Sequence, residues 1–468
     1  MRNQKWFCTI VVENGLYMNS ISVGNYKSVI ESGAFELRPL TVLAGINSSG
    51  KSSLLQAVLL LKQTLEAGSK DVLKTTGGPY VVANEPLDLA YGKKRSNVIS
   101  ITLTIDAHEF ENQSDYTRYA DVKDARLRNL ELQVDVVANG KSILNGLTCT
   151  INYNGDIVPA TMQVRRLQKS GDFYAIKFSS PLMVGYGNNE KLKNIDSCSL
   201  SFHSFLPIFA EWTRKGQVDI RPIVVLKTLE TDLLRYLKSF CYIGPQREKP
   251  DLARSYDSTT FKNVGEDGHN TRFLYEANKN SKIDGYDGET LQTLCNMWVC
   301  DKMGLAKNMD VQRDSNKLYR TIITNNDGLS VDLCQMGFGL SQILPIVVQG
   351  LLLHQGETLI VEDPDVHMHP KVQAMLVDFF IDLMKHGRKV VIETHSDHIV
   401  TRLRRRIADG TVQKEDVNLS FVENGAKGSE YRFIDMESDG SFLNELPKGF
   451  LDSQENDFME IIAQRAKR

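Results

Sequence analysis

Apolar positions change period several times along this 468-residue chain, and each change marks an element. Ile21-Ser22-Val23 opens the first core strand, after an extension over residues 1–17. Leu40-Thr41-Val42-Leu43-Ala44 is a short apolar run ending at a glycine, the form of a strand buried on both faces. Leu54, Leu55, Val58, Leu59 and Leu61 recur at helical spacing, which predicts a helix over 53–65. After the punctuation at Gly77-Gly78-Pro79 the period drops to two. Ile99, Ile101, Leu103 and Ile105 alternate with polar residues, as do Leu130, Leu132, Val134 and Val136. With hairpin signals at Asn139-Gly140 and Asn154-Gly155, this predicts an antiparallel meander between 97 and 180. Beyond 199 the pattern turns helical, broken by a polar, glycine-containing loop over 281–290. From 331 an α/β pattern returns, with an apolar helix at Ile343–Leu353 and strands ending in Glu362-Asp363-Pro364 and Glu393-Thr394-His395. Short strands around Leu419–Val422 and Tyr431–Ile434 and an amphipathic tail at Phe458–Ala466 complete the pattern. No repeat of 20–50 residues and no long heptad run is present.

The predicted organisation has six parts: the extension (1–17), an N-terminal lobe (18–96), a β-rich subdomain (97–198), a mainly helical insert (199–330), a C-terminal lobe (331–410), and terminal strands with a tail (411–468).

The chemistry sits where strands run into polar tips. Gly45-Ile46-Asn47-Ser48-Ser49-Gly50-Lys51-Ser52 fits G-x-x-x-x-G-K-[ST] at every fixed position, between an apolar strand and a helix. Backbone N–H groups across Gly45, Asn47, Ser49, Gly50, Lys51, Ser52 and Ser53 can wrap the phosphates of ATP at a helix N-terminus. Lys51 reaches the β/γ-phosphates and the Ser52 hydroxyl is a Mg²⁺ ligand. Glu362 and Asp363 end the next apolar strand, where one carboxylate can hold the Mg²⁺ shell and another can orient water. His395, at the tip of a further strand, is placed to hydrogen-bond the γ-phosphate or the water. Gly339, Ser341 and Gln342 open an apolar helix and offer a second anion-binding surface. His367-x-His369 and His395-x-x-His398 have no cysteine or carboxylate at zinc spacing, so a zinc site is not expected.

Composition narrows the setting. Lys and Arg number 55 against 58 Asp and Glu, so the chain is no polycation, and any nucleic-acid contact must come from a local basic patch. Seven scattered cysteines with no C-x-x-C point to a reducing cytoplasm, and no apolar run is long enough for a membrane span.

The order of P-loop, Gly337-Phe338-Gly339-Leu340-Ser341-Gln342, strand-Glu362-Asp363-Pro364 and strand-Glu393-Thr394-His395-Ser396-Asp397-His398 resembles ABC-type ATPases of the OLD/RecF/SMC-like group. More narrowly it resembles the bacterial AAA branch with the DUF3696 C-terminal domain. That likeness rests on Gly24-Asn25-Tyr26-Lys27-Ser28, Tyr242-Ile243-Gly244-Pro245-Gln246-Arg247-Glu248, Asp365-Val366-His367-Met368-His369-Pro370 and Pro447-Lys448-Gly449-Phe450. It runs from about residue 18 through nearly the whole chain and is thinnest over 97–230.

The resemblance implies an α/β fold, an ABC-type ATPase head with an antiparallel β-subdomain and a large, mainly helical insertion. In such proteins two heads sandwich two ATP molecules between the P-loop of one and the signature loop of the other. The implied roles are Lys51 and Ser52 on phosphate and Mg²⁺, Glu362 at the Walker B metal position and Asp363 at the catalytic carboxylate. His395 takes the switch histidine and Ser341 the signature serine. An aspartate in place of a longer glutamate at 363 implies slow hydrolysis. Many relatives act in anti-phage defence beside a nuclease, and the ATPases of the Septu system (with an HNH nuclease) and of PARIS are the nearest models. OLD proteins carry a Toprim nuclease on the same chain. The stretch after His395 is too short for one, which implies a separately encoded nuclease effector, a head-to-head dimer or higher oligomer, and a cytoplasmic setting.

The competing expectation is a RecF-like DNA-repair ATPase. Its support is Arg402, Arg404, Arg405 and Arg406, a basic cluster on a helix after His395. A transporter motor is disfavoured by the absence of L-S-G-G-Q, and a chromosome-condensing clamp by the absence of long heptads.

Overall fold

The computed structural model describes residues 19–443 apart from 69–70, 110–125, 156–157, 168–172, 180–194, 209–212, 215–216, 219–220, 257–259 and 427. The 1–17 extension, the 447–450 stretch and the 458–466 tail lie outside the described residues.

One sheet of 15 strands runs through the described residues. It begins with β1 (Asn19–Tyr26), β2 (Val29–Glu31), β3 (Phe35–Leu37) and β4 (Leu40–Gly45). The alternating stretch beyond 97 forms β5 (Val98–Asp106), β6 (Leu127–Asn139), β7 (Lys141–Tyr153), β8 (Ala160–Arg166) and β9 (Phe173–Phe178). These pair antiparallel in chain order, with β10 (Ile195–Ser199) on the outer edge. Gly140 and Gly155 take positive φ in the turns, as the Asn-Gly signals predict. Two small ribbons follow, β11 (Ser201–His203) with β12 (Leu206–Ile208) and β13 (Thr213–Arg214) with β14 (Gln217–Val218).

The 199–330 stretch departs from the mainly helical expectation. Its strand β15 (Phe240–Ile243) belongs to the large sheet, and β16 (Asn308–Arg313), β17 (Tyr319–Thr324) and β18 (Ser330–Asp332) make a separate antiparallel sheet, β18 reaching two residues past that stretch. Four residues are too few for a period to show, which is why β15 escapes a reading of hydrophobic pattern.

The C-terminal half completes a parallel block. Here β15, β19 (Thr358–Glu362), β20 (Lys389–Thr394), β4 and β21 (Val417–Gly425) lie side by side. The antiparallel strand β22 (Gly428–Phe433) joins this block through β2 and β1 to the meander. All of Thr358–Glu362 is buried, as a strand covered on both faces requires.

The α-helices among the described residues are α1 (Lys51–Ala67), α2 (Arg221–Lys238), α3 (Thr271–Asn278), α4 (Leu291–Asn296), α5 (Phe338–Leu352), α6 (Pro370–Lys385) and α7 (Asp397–Ala408). Leu43, Val391 and Ile360 pack with Leu54, Leu59 and Leu233 of α1 and α2. Val42, Ile392 and Val361 face the other way, onto Ile343, Phe379, Phe380 and Leu403 of α5, α6 and α7. The architecture is therefore α/β, with helices on both faces of the parallel block. Helix α1 is buried almost all round, and its polar side chains are paired. Gln63 Nε2 donates to the Val81 carbonyl at 2.9 Å while its Oε1 accepts from the Val81 amide at 2.9 Å.

On the outside, α6 and α7 are joined by one carboxylate. Asp378 Oδ1 accepts from Arg402 Nε (3.1 Å) and Arg406 Nε (2.7 Å), and its Oδ2 from Arg402 Nη2 (2.5 Å) and Arg406 Nη2 (3.0 Å). Two planar guanidinium forks on one half-buried carboxylate hold Asp378 below the usual carboxylate pKa, against the opposing effect of burial. Asp378→Asn is therefore expected to lower stability by about 1.5–3 kcal/mol in urea unfolding at pH 7. A depressed folded-state pKa contributes stability above the unfolded value of about 4 and loses it as pH falls through the folded one. The gap between native chain and variant should accordingly shrink towards pH 3, and a gap of constant size would contradict the assignment.

Candidate functional site

The P-loop is shaped by its contact with the β21–β22 hairpin. A Cβ on Gly45 would sit 2.3 Å from the Val422 carbonyl oxygen, so only glycine lets β4 turn into the loop this close to β21. Gly50, at φ +95, occupies the left-handed region at the N-cap of α1. A Cβ there would meet Ser429 Oγ at 2.1 Å and Ser28 Oγ at 2.4 Å. Behind the loop, hydroxyls form a chain from Ser429 through Ser28 (2.8 Å) to Ser53 (3.1 Å). The Tyr431 hydroxyl donates to the Gly50 carbonyl at 2.8 Å. Ile46, Asn47 and Ser48 form the exposed tip, whereas Ser49 is buried.

Inside this cradle Lys51 is only 3% exposed, and its ammonium donates to the loop's own carbonyls, Gly45 O (3.0 Å) and Ile46 O (2.8 Å). Burial lowers its pKa, and the carboxylates of Glu393, Asp363, Asp365 and Glu362 act in the opposite sense. A cavity of about 280 Å³ opens against the loop, lined among others by Lys27, Lys51, Ser52, Glu393 and His395.

The carboxylates arrive by strand register. In the parallel block Glu362 of β19 pairs with Glu393 of β20, and Glu393 pairs with Leu43 of β4. Residues in register on parallel strands point to the same face, here the α1 face. The Ser52 hydroxyl donates to Glu393 Oε1 at 2.8 Å. Burial, and then the neighbouring charge of Glu362, push Glu393 up to about 8. Glu362 is also raised by burial, although the Tyr242 hydroxyl bonds to it and counters part of the rise. Asp365, likewise raised by burial, accepts from Thr394 Oγ1 at 2.6 Å.

Asp363 lies just past the strand at φ +45, a left-handed conformation for a residue with a side chain. Arg247, 7% exposed, holds this turn: its Nη1 donates to Asp363 O (2.8 Å) and its Nη2 to Glu362 O (2.5 Å). His395 Nε2 stands 3.9 Å from Asp363 Oδ1, close but beyond hydrogen-bond range. Burial and then Lys51 lower the His395 pKa, so the imidazole is neutral near pH 7.

Four buried side-chain oxygens around this tip have no hydrogen-bond partner among the described residues: Ser49 Oγ, Glu362 Oε1, Asp363 Oδ1 and Glu393 Oε2. Orphaned acceptors beside two lysines and a row of loop amides form a donor and acceptor set that fits a phosphate chain with its Mg²⁺. Lys27, Glu393, Arg247 and Tyr242 are the residues that motif spacing does not single out. Lys27 has a positive φ, and its ammonium bonds Gln56 of α1.

The expected signature surface is arranged differently. Gly337 is the N-cap of α5, and Gly337 and Phe338 are exposed. Ser341 and Gln342 are buried, 6% and 4% exposed, because they lie one turn in, on the inner face of the helix. Ser341 Oγ donates to the Phe338 carbonyl at 2.7 Å and borders a small polar cavity with Asp251, Arg254 and Arg272. The helix end therefore presents Gly337, Phe338 and Gly339, while the side chains of Ser341 and Gln342 are buried.

The basic helix is similarly committed. Arg402 and Arg406 bind Asp378, Arg404 donates to the Gly440 carbonyl and lies 4.1 Å over the Phe442 ring, and Arg405 is the exposed member. His369 and Ser396 are helix caps, accepting from the amides of Lys371 and Ile399. Among the described residues no cluster of three or more His, Cys, Asp or Glu is arranged to hold a metal by itself, and no helix is long and apolar enough to cross a membrane.

Residues 251–400 match the family model for the AAA ATPase domain. That stretch contains the α5 end, Glu362, Asp363, Glu393 and His395, and the P-loop lies outside it. No curated protein matches the chain. Among solved structures the chain is similar to an SMC head bound to the C-winged helix domain of ScpA, at 10% identity over 90% of this chain and 98% of that one, TM-score 0.44. It is also similar to the SMC head domain from Thermotoga maritima, at 9% identity over 90% and 100%, TM-score 0.41. A third is the Smc head with an extended coiled coil bound to the C-terminal domain of ScpA from Pyrococcus furiosus, at 9% identity over 95% and 99%, TM-score 0.41. Likenesses this distant assign no residue a role. The family match spans 150 of the 468 residues and supports an ATPase of AAA type.

The packing of loop against hairpin is open to test. Gly45→Ala forces β4 and β21 apart and should cost about 1–3 kcal/mol of stability, as overpacking does. Binding of an ATP analogue should weaken at least tenfold in the same variant. Ser429→Ala removes one hydroxyl from the chain behind the loop and should leave both properties close to native. Native melting and binding in Gly45→Ala would show that the close approach to Val422 does not shape the loop.

Proposed function

We propose that this chain is a Mg²⁺-dependent ATPase whose copies close head to head on ATP, and that it is the nucleotide-switched subunit controlling a separately encoded nuclease in anti-phage defence. The observation that carries the ATPase part is the meeting of Lys51, Ser52, Glu393 and His395 around one cavity, with Glu362 and Asp363 beside it.

In this reading Lys51 releases the Gly45 and Ile46 carbonyls and takes the β/γ-phosphates, while the loop amides bind the remaining phosphate oxygens. Ser52 and Glu362 would hold Mg²⁺, with Glu393 behind the serine. The ion supplies charge neutralisation on the transferring phosphoryl group. Asp363, fixed in its left-handed turn by Arg247, takes a proton from water, and neutral His395 hydrogen-bonds the same water or the γ-phosphate. The exposed α5 end, Gly337 to Gly339, faces the phosphates of a second copy.

The defence role and the nuclease partner rest on the resemblance to the Septu and PARIS ATPases. The RecF-like alternative is weakened, because three of the four arginines behind it have partners within the chain.

Lys51→Ala should abolish ATP binding. Asp363→Asn should keep ATP bound while lowering hydrolysis by about 10²–10⁴-fold, the usual general-base contribution. A loss below about threefold would remove Asp363 from that role. Gly337 has open space where a Cβ would be added. Gly337→Arg should therefore fold and bind ATP as a single copy but fail to associate with ATP in sedimentation. Normal association would refute the helix-end contact. Phage protection should require the chain together with a second gene, and protection by the chain alone would refute the partner reading.

A further inference from the structure

Within the ATPase reading, on which this inference rests, the metal-binding serine has an unexpected partner. A hydroxyl carries one proton, and Ser52 gives it to Glu393 Oε1 at 2.8 Å, so none is left for Glu362 or Asp363. Sheet order explains why. β20 lies between β4 and β19, so Glu393 is one strand from the P-loop strand and Glu362 is two. At a strand spacing of about 4.8 Å, Glu362 starts roughly 10 Å from β4. Glu393 is also 5% exposed, so burial confines its carboxylate to the tip. Its second oxygen, Oε2, has no partner among the described residues and stays free to take a water of the metal shell.

We propose that Glu393 is the positioning residue for Ser52: by accepting the hydroxyl proton it turns the serine lone pairs towards the metal position. The orientation of the P-loop serine is then set from the strand adjoining β4, and Glu362 acts on the metal from further out. Without an acceptor at 393, the Ser52 proton rotates freely, and the hydroxyl spends part of its time with the proton pointing at the cation.

The test is binding of a fluorescent, non-hydrolysable ATP analogue to the full chain, with Mg²⁺ and with EDTA. Glu393→Ala should lose about tenfold of the Mg²⁺-dependent gain in affinity, the scale of one hydrogen bond. The gain is the ratio of the affinities with Mg²⁺ and with EDTA for each variant, so a change in metal-free binding does not count towards it. Glu393→Gln keeps an acceptor oxygen and should retain most of the gain. Glu393→Ala on top of Ser52→Ala should add nothing further, because the two act as one unit. If the alanine variant does not fold, Glu393→Leu tests the same loss of an acceptor at nearly the same volume. A full Mg²⁺ gain in Glu393→Ala or Glu393→Leu, or effects of Ser52 and Glu393 that simply add, would overturn the proposal while leaving the ATPase reading intact. A native chain that binds no nucleotide would overturn both.

Discussion

Three parallel strands, β19, β20 and β4, end in one register, and the site hangs on that alignment. Because the side-chain period of a strand is two, the register places Glu362 and Glu393 side by side on the α1 face. A slip of one residue in β20 would turn Glu393 into the α5–α7 core and bring Ile392 or Thr394 to Ser52. The strands cannot slip easily, since Val390, Ile392, Leu359 and Val361 are buried in that core. The hydrophobic packing of the parallel block and the chemistry at its tip are thus two results of one pairing pattern.

The same alignment concentrates charge. Glu362, Asp363, Asp365 and Glu393 crowd a region with Lys27, Lys51 and Arg247, and burial raises Glu362, Asp365 and Glu393 while lowering Lys27, Lys51 and Arg247. Both signs are therefore held away from their preferred charged forms. Unsatisfied oxygens and a lysine folded onto its own loop are costly in isolation. A phosphate chain and a divalent cation supply the missing partners of both signs, so the strain of the tip and its proposed ligand account for each other.

Local pattern made much of this legible. The P-loop, the strands ending at Glu362 and Thr394, the meander and its Asn-Gly turns all carry their signal within a few consecutive residues. What escaped depends on distant pairing. Glu393 looks like the end of an apolar strand until sheet order sets it beside Ser52. Arg247 gains its place only when β15 joins β19, and Lys27 only when the β1–β2 turn meets α1. Ser341 and Gln342 read as the opening of an apolar helix, but helix α5 starts earlier, at Phe338, and carries both inward. The arginines of α7 read as a free basic face, and Asp378, on another helix, takes two of them.

In the proposed function the loop is a preformed phosphate cradle, braced by the β21–β22 hairpin and closed at rest by Lys51. The most direct measurement is a crystal structure of the chain with Mg²⁺ and a non-hydrolysable ATP analogue. The Lys51 ammonium is expected to leave the Gly45 and Ile46 carbonyls for the β/γ-phosphates, while Gly45 stays packed on Val422 and Gly50 on Ser28 and Ser429. A nucleotide bound elsewhere, or Lys51 still on those two carbonyls with phosphate in the cavity, would contradict it.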